Sequence, residues 1–478
     1  MGISQKISTD VLVTTLVKLS LKVRGLIVIP ILTIYLGAAD YGAYVQILAI
    51  TTLVGQVAIL GLDTGIVQYI QQYNDDEAVV YWSIMSLIMV TSVVSILVVI
   101  TTSSLLSQYT LGTTDFTTAF VIGAGLVPLT IGFRLGQGYL RATRRIKIYS
   151  YSDAAEVYLH VGSITAVVLL TEWGIVGVMA AVVATRCLVV LIMHAAIIFE
   201  VGFSKPSLAR LQAYLNYSLP TMGTDVARST LTRADRVLVG FFLGASAVGV
   251  YSVAYQLAQV MMIYIRPLSI SLFPEFSRLW SNDPTQIQMI TIPGLRYFLA
   301  LAIPSIGGLW LVGQDVLNLL TTSEIASSAV PLLILLSAGI LFQGLTEIYT
   351  QLFYAADKTR IPLIIQASSA IINVVANIIL LPTVGLAGAA LATLLAYGFA
   401  ATTTAIGFQE YLKIIPPLQT VLAPITGTTV MIVVFASLTL NWILTIALAP
   451  FLYGLVFYAA GGIEYIEIKR LMDHIRTI

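Results

Sequence analysis

Apolar runs of about twenty residues recur along almost the whole chain, parted only by short polar turns, and this pattern fixes the solvent the fold must meet. The runs cover approximately 11–36, 42–62, 79–102, 116–138, 151–171, 174–199, 214–243, 246–273, 290–312, 327–353, 361–381, 384–407, 418–439 and 442–462. Each is long enough for a helix across a hydrocarbon core of about 30 Å. Barrel strands are excluded because stretches such as Val93–Ile100 and Ile371–Leu381 do not alternate at every second residue. Only 10% of the residues are charged, against about 25% in soluble domains, so the polar surface cannot cover a water-facing globule. The pattern predicts an all-α polytopic membrane protein with about fourteen transmembrane helices.

Lysine and arginine set the expected orientation. With the amino terminus inside, the inner segments hold Lys6, Arg141, Arg144, Arg145, Lys147, Lys205, Arg210, Arg278, Lys358, Arg360, Lys413, Lys469, Arg470 and Arg476. The outer turns hold no basic residue, only Asp40, Asp115, Glu172, Asp315 and Glu324. Both termini are therefore expected in the cytoplasm, in a multi-pass plasma-membrane protein. The start, MGISQKISTD, lacks the basic opening and cleavage site of a signal peptide, so the first span is read as retained. The outer turns are short, and the 274–289 stretch is read as an interfacial linker.

The net charge of +1 gives no bulk attraction for nucleic acid. Cys187 is the single cysteine, and His160, His194 and His474 lie far apart, so neither a CxxC site nor a metal-ligand spacing is present. No metal and no cofactor is expected. A membrane enzyme would need a catalytic outer loop or a His/Asp constellation. His160 and His194 stand alone on apolar faces, as packed or partner-satisfied histidines do.

Two sections of the chain repeat each other. Tyr35-Leu36-Gly37-Ala38-Ala39-Asp40-Tyr41-Gly42-Ala43-Tyr44 matches Phe242-Leu243-Gly244-Ala245-Ser246-Ala247-Val248-Gly249-Val250-Tyr251 at an offset of 207. Arg141-Ala142 with its basic cluster matches Ala355-Ala356 followed by Lys358 and Arg360, and Gly174-Ile175-Val176-Gly177 matches Gly385-Leu386-Ala387-Gly388, at offsets of 214 and 211. A repeat of six helices, an even number, keeps one orientation, so the copies form a parallel pair. The expected organisation is an N-terminal lobe over 1–200 (helices 1–6), a linker over 201–213, a C-terminal lobe over 214–407 (helices 7–12), and two further helices with a tail over 408–478.

Ten basic residues fall within the spans: Lys18, Lys22, Arg24, Arg134, Arg186, Arg228, Arg233, Arg236, Arg266 and Arg296. Glu156, Asp225, Asp235 and Glu347 are among the acidic ones that do. A charge at a helix centre costs about 2.5–3.5 kcal/mol on insertion scales, and chains keep it where it lines water, pairs or binds. Arg134, Arg266 and Arg296 lie toward the inner helix ends, where a long side chain can snorkel. On the seventh helix, with Asp225 at zero, Arg228 falls at about −60°, Asp235 at about −80°, Arg236 at about +20° and Arg233 at about +80°. This polar stripe suits a wet cavity; the competing reading is an ion-pair ladder such as Asp225 with Arg228. The surplus of basic residues points to an anionic solute, most simply phosphate, whose oxygens match the paired donors of arginine. The expected cationic site comprises Lys22, Arg24, Arg186, Arg228, Arg233 and Arg236.

The motifs then give a resemblance. Tyr35-Leu36-Gly37 through Tyr41-Gly42, Gly61-Leu62-Asp63-Thr64, Leu140-Arg141-Ala142-Thr143-Arg144, and Pro220 with Asp235-Arg236-Val237-Leu238-Val239-Gly240-Phe241-Phe242-Leu243-Gly244 resemble the multidrug/oligosaccharidyl-lipid/polysaccharide (MOP) flippase superfamily, above all its Wzx-type polysaccharide-biosynthesis branch. The resemblance implies two rocking six-helix lobes, with two extra helices contributing a groove for a lipid tail. It implies as substrate an oligosaccharide on polyprenyl (pyro)phosphate, undecaprenyl or dolichyl, moved to the outer leaflet for surface polysaccharide or N-glycan synthesis. Its partners would be membrane lipids and the glycosyltransferases or oligosaccharyltransferase of the same pathway. Moving a dianionic head group across the membrane potential involves about 2.3 kcal/mol per charge per 100 mV. A counter-ion, proton or sodium, is therefore a candidate to move with it, with Asp225, Asp235, Glu156 or Glu347 as candidate sites; structural pairing explains the same carboxylates. The alternatives are a drug or metabolite exporter of the MATE branch, which calls for an acidic cavity, and a lipid II flippase, which the basic first helix also resembles.

Overall fold

The computed structural model describes residues 24–71, 76–438 and 440–462. Helices account for nearly all of them, and no strand occurs among the described residues. The chain runs α1 (Arg24–Tyr35), α2 (Gly37–Ala58), α3 (Leu62–Gln71), α4 (Glu77–Leu111), α5 (Thr117–Gly123), α6 (Leu126–Ala142), α7 (Ile146–Leu170), α8 (Gly174–Val201) and α9 (Leu208–Leu243). It continues through α10 (Ala245–Ala258), α11 (Met262–Asn282), α12 (Ile287–Leu320), α13 (Ser323–Ala355), α14 (Arg360–Val384), α15 (Leu386–Phe408), α16 (Gln419–Ser437) and α17 (Trp442–Ala459).

Of the fourteen expected spans, the described residues supply twelve helices long and apolar enough to cross a membrane. The fourth expected span is built from α5 and α6 end to end, and the eighth from α10 and α11 joined by one 3₁₀ turn, Gln259–Met261. The two missing from the count have separate causes. The first is described only from Arg24 onward, leaving the 12-residue α1. The seventh is the 36-residue α9, long enough to cross, but its Asp225, Arg228, Arg233, Asp235 and Arg236 make it far more polar than the others.

Contacts divide the chain into two compact units, one of residues 1–253 with 374–389 and the other of 254–373 with 390–478. In the first unit α9, placed by its sequence at the start of the second lobe, packs on α2, α3 and α4. The core there is built from Ile59, Leu62, Tyr81, Ile84, Val127, Ile131, Tyr139 and Tyr214, each essentially without exposure. One end of this unit gathers the basic segment. The Gln71 amide donates to the Ala142 carbonyl (3.1 Å), the Tyr139 hydroxyl to Glu77 (3.0 Å), the Trp82 indole to the Gly202 carbonyl (2.8 Å) and the Tyr69 hydroxyl to the Ala213 carbonyl (2.8 Å). Arg145 and Glu200 form an ion pair at the same end. Over its middle turns the outward face of α4 is apolar, with Val90, Val93, Val94, Leu97 and Val98 all more than half exposed, as suits a lipid-facing surface.

In the second unit α16 and α17 pack on each other and on α12. The Tyr453 hydroxyl donates to the Ala300 carbonyl at 2.7 Å. Gly427 makes room for the Tyr453 ring, whose carbons lie 3.0 Å from where a Cβ would stand. The last two helices are thus built into the core of this unit rather than appended to it.

Candidate functional site

Two charged clusters lie inside the first unit. The first is centred on Glu156 of α7, whose side chain is 7% exposed. Its Oε1 accepts from Arg186 Nη1 of α8 at 2.8 Å, and its Oε2 faces Arg24 Nη1 of α1 at 3.4 Å. Glu156 stands ten residues along α7 and Arg186 twelve along α8. At 1.5 Å per residue these are depths of about 15 and 18 Å, close to the middle of a bilayer. Two guanidiniums meet on this one carboxylate, and Asp153, one turn back on α7, also acts on Arg186. The Arg186 guanidinium also lies 4.8 Å from the centre of the Phe133 ring, a cation–π contact. Its Nε is buried with no hydrogen-bond partner among the described residues. One turn beyond Glu156, His160 Nε2 is hydrogen-bonded with the Tyr44 hydroxyl at 2.8 Å.

The second cluster is centred on Arg134 of α6. Its Nε and Nη2 reach Asp63 Oδ2 at 3.1 and 2.7 Å, and its Nη2 reaches Asp225 Oδ2 of α9 at 3.2 Å. Gln56 of α2 closes the ring, accepting from Arg134 Nη1 and donating to Asp225 Oδ2 at 3.0 Å. Here, among the described residues, two carboxylates share one guanidinium. The local backbone explains how Asp63 arrives. Leu60 and Gly61 take positive φ values of 55° and 71°, which ends α2 and starts α3 in a new direction. A Cβ on Gly61 would stand 2.3 Å from the Ser218 carbonyl oxygen, so only glycine lets α9 come this near.

The expected site residues are distributed over several surroundings. Arg24, Arg186 and Glu156 meet in the first cluster, and Asp225 is in the second. Asp235 is 1% exposed and accepts from the Tyr251 hydroxyl at 2.7 Å and the Arg236 backbone N–H at 2.8 Å. Arg233 and Arg236 are half-buried on α9. Arg228 lies on the same helix with its side chain outside the described residues, as is Lys22 entirely. Glu347 is half-buried on α13 in the second unit, where its backbone carbonyl accepts from Ser269 at 3.2 Å.

Asp63, Gln56 and the pairing of Arg134 were not evident in the sequence as site features. Arg134 is not a snorkelling side chain but the hub of the second cluster. A usable signal existed in the Gly61-Leu62-Asp63-Thr64 motif, whose acid falls just past the expected span.

His194 donates from Nε2 to the Gly132 carbonyl (2.9 Å) and pairs through Nδ1 with the Tyr81 hydroxyl (2.6 Å), so it is a structurally engaged imidazole. No group of metal-ligating side chains occurs among the described residues. A cavity of about 300 Å³ in the second unit is lined by Trp310, Asp315, Phe435 and Trp442 among others. It carries an acid and no basic residue, so it does not suit phosphate.

Comparison with known proteins agrees with this architecture. The family model described as polysaccharide biosynthesis protein matches residues 7–280, and the MatE model matches 220–379. The probable flippase AglR of Haloferax volcanii is 26% identical over 82% of this chain and 82% of its own length. The probable low-salt glycan biosynthesis flippase Agl15 of the same organism is 25% identical over 41% of this chain and 42% of its own length. Among solved structures, the lipid II flippase MurJ in an inward closed conformation superposes with a TM-score of 0.79 at 15% identity, covering 96% of this chain and 99% of that one. That likeness shows a shared fold.

Proposed function

The chain belongs to the polysaccharide biosynthesis family of the MOP superfamily, and we propose that it is a flippase for a polyprenyl-(pyro)phosphate-linked oligosaccharide. The lipid moves from the cytoplasmic to the outer leaflet by alternating access of two six-helix lobes, over 1–200 and 214–407, in the plasma membrane with both termini cytoplasmic. The observation that carries this reading is the pairing of Arg24 and Arg186 on the single Glu156 near mid-bilayer. Two guanidiniums on one carboxylate, with the Arg186 Nε–H buried and unpartnered among the described residues, suit an anion with several acceptor oxygens. Lys22, Arg228, Arg233 and Arg236 extend the same sign of charge. The names of AglR and Agl15 support a glycan-bearing lipid as cargo.

The carboxylates Asp225, Asp235, Glu156 and Glu347 remain the candidates for a coupling proton or sodium, and glycosyltransferases or an oligosaccharyltransferase are the proposed pathway partners. The second reading, a drug or metabolite exporter, is favoured by the MatE match and by the two carboxylates that meet at Arg134. One experiment separates the two. A deletion strain of the source organism should accumulate lipid-linked oligosaccharide on the inner leaflet, relieved by the wild-type chain and not by Arg186→Gln at equal abundance. Normal outer-leaflet glycan in the deletion strain, with heightened sensitivity to cationic drugs, would select the exporter.

A further inference from the structure

The repeated motif makes contact with itself. Gly42 and Gly249 are equivalent under the offset of 207, as are Ala38 and Ala245. In the fold a Cβ on Gly42 would stand 1.9 Å from the Ala245 carbonyl oxygen, and a Cβ on Gly249 would stand 2.1 Å from the Ala38 carbonyl oxygen. The two contacts are reciprocal, residue for residue, so a pseudo-two-fold axis passes between the first turns of α2 and α10. Both obstacles are backbone atoms, which no rotamer change can move aside. Any side chain at either position must push the helices apart.

The crossing lies at the end of the first unit opposite the basic segment. α3 reaches the Arg141–Ala142 backbone with its last residue, Gln71, and α9 meets Tyr69 near its beginning, at Ala213. The starts of α2 and α10 are therefore at the other face, with Gly112 and Gly244, where the Cβ of Gly112 would touch the Gly244 Cα at 3.7 Å. One turn below Gly42, Gln46 is 0% exposed, and neither its Nε2 nor its Oε1 has a hydrogen-bond partner among the described residues. Its Nε2 would lie 3.1 Å from a Cβ on Gly240, so the amide is caught between α2 and α9 just beneath the crossing. A primary amide has two donors and an acceptor to satisfy, and burying it unpaired disfavours the closed arrangement relative to one in which water reaches it.

We infer that the Gly42–Ala245 and Gly249–Ala38 crossing is the outer gate of the carrier, shut by backbone contact and biased toward opening by the orphan amide of Gln46. The gate rests on the flippase reading for its role in a carrier and on the proposed cytoplasmic termini for its outer side. The test uses the full chain in intact cells, with Gln46→Cys as the reporter in a Cys187→Ser background and a membrane-impermeant methanethiosulfonate added outside. The reporter should be modified from outside, and Gly42→Ala or Gly249→Ala should raise the rate about tenfold, the change expected for a shift of one decade in the open population. Equal rates in the presence and absence of both alanines, or modification only from the inner face, would overturn the gate.

Because a wedge can also unfold a protein, Gln46→Leu provides the opposite arm. Matching the volume without the amide should raise thermal stability and slow lipid-linked glycan export about tenfold. Export at the wild-type rate would remove Gln46 from the gate. A reporter that opens as described in a protein that moves no lipid-linked glycan would sink the flippase reading and leave the gate standing.

Discussion

The clusters around Glu156 and Arg134 use the same residue types in inverted numbers. Glu156 holds two arginines, Arg24 and Arg186, whose side chains are 34% and 21% exposed. Arg134 holds two aspartates, Asp63 at 6% and Asp225 at 37% exposure. In the first the buried member is the lone carboxylate and the arginines are the more exposed members. In the second a carboxylate is buried, its Oδ1 unpartnered among the described residues, and the arginine ties α3, α6 and α9 together. The difference separates two arrangements of intramembrane charge. One gathers two guanidiniums on a single carboxylate, the arrangement proposed above to take an anion; the other gathers two carboxylates on a single guanidinium and joins helices.

The largest expected effect follows from removing the hub of the second cluster. Arg134→Leu leaves Asp63 buried without a counter-charge and should destabilise the purified protein by about 3–5 kcal/mol, read as a lowered unfolding temperature in detergent. Asp63→Asn in that background should recover most of the loss, and the cycle isolates the pair. Next, Glu156→Gln strips both arginines of their carboxylate while they retain some access to water, at about 1–3 kcal/mol. An equal or larger loss than Arg134→Leu would erase the distinction between the clusters. Asp225→Asn removes one of the two carboxylate charges while keeping a hydrogen-bond acceptor, so the stability should change by about 1 kcal/mol or less. The smallest effect is the baseline, Arg278→Ala, which breaks an exposed pair with Glu275 and should cost about 0.5 kcal/mol or less.

Much of the fold is legible because a chain in hydrocarbon must satisfy its backbone within each helix, and that demand writes twenty-residue apolar runs into the sequence. α9 is legible too, although its charges hide it from an apolarity measure, since its polar residues share a stripe at helical spacing. The charges of the Glu156 cluster stand out because arginine and glutamate are costly inside a span. Which of them meet is not legible: Arg24 and Glu156 are 132 positions apart, Glu156 and Arg186 thirty, and helix adjacency is set by packing of apolar faces that resemble one another. Uncharged partners such as Gln56, Tyr44 and Tyr251 carry no signal of their own. Arg134 is ambiguous for a physical reason, since a residue about 12 Å from the end of α6 can either reach water or find a carboxylate. Asp63, which decides the matter, follows a left-handed turn that periodicity does not reveal.

The most direct measurement is binding of a polyprenyl phosphate oligosaccharide to the purified full-length protein, compared with the Arg24→Gln/Arg186→Gln double variant. Saturable binding that weakens with added salt, and falls about tenfold or more in the double variant, is the predicted result. Equal affinity in the two proteins, at equal folded fraction, would contradict the assignment of the Glu156 cluster to the phosphate.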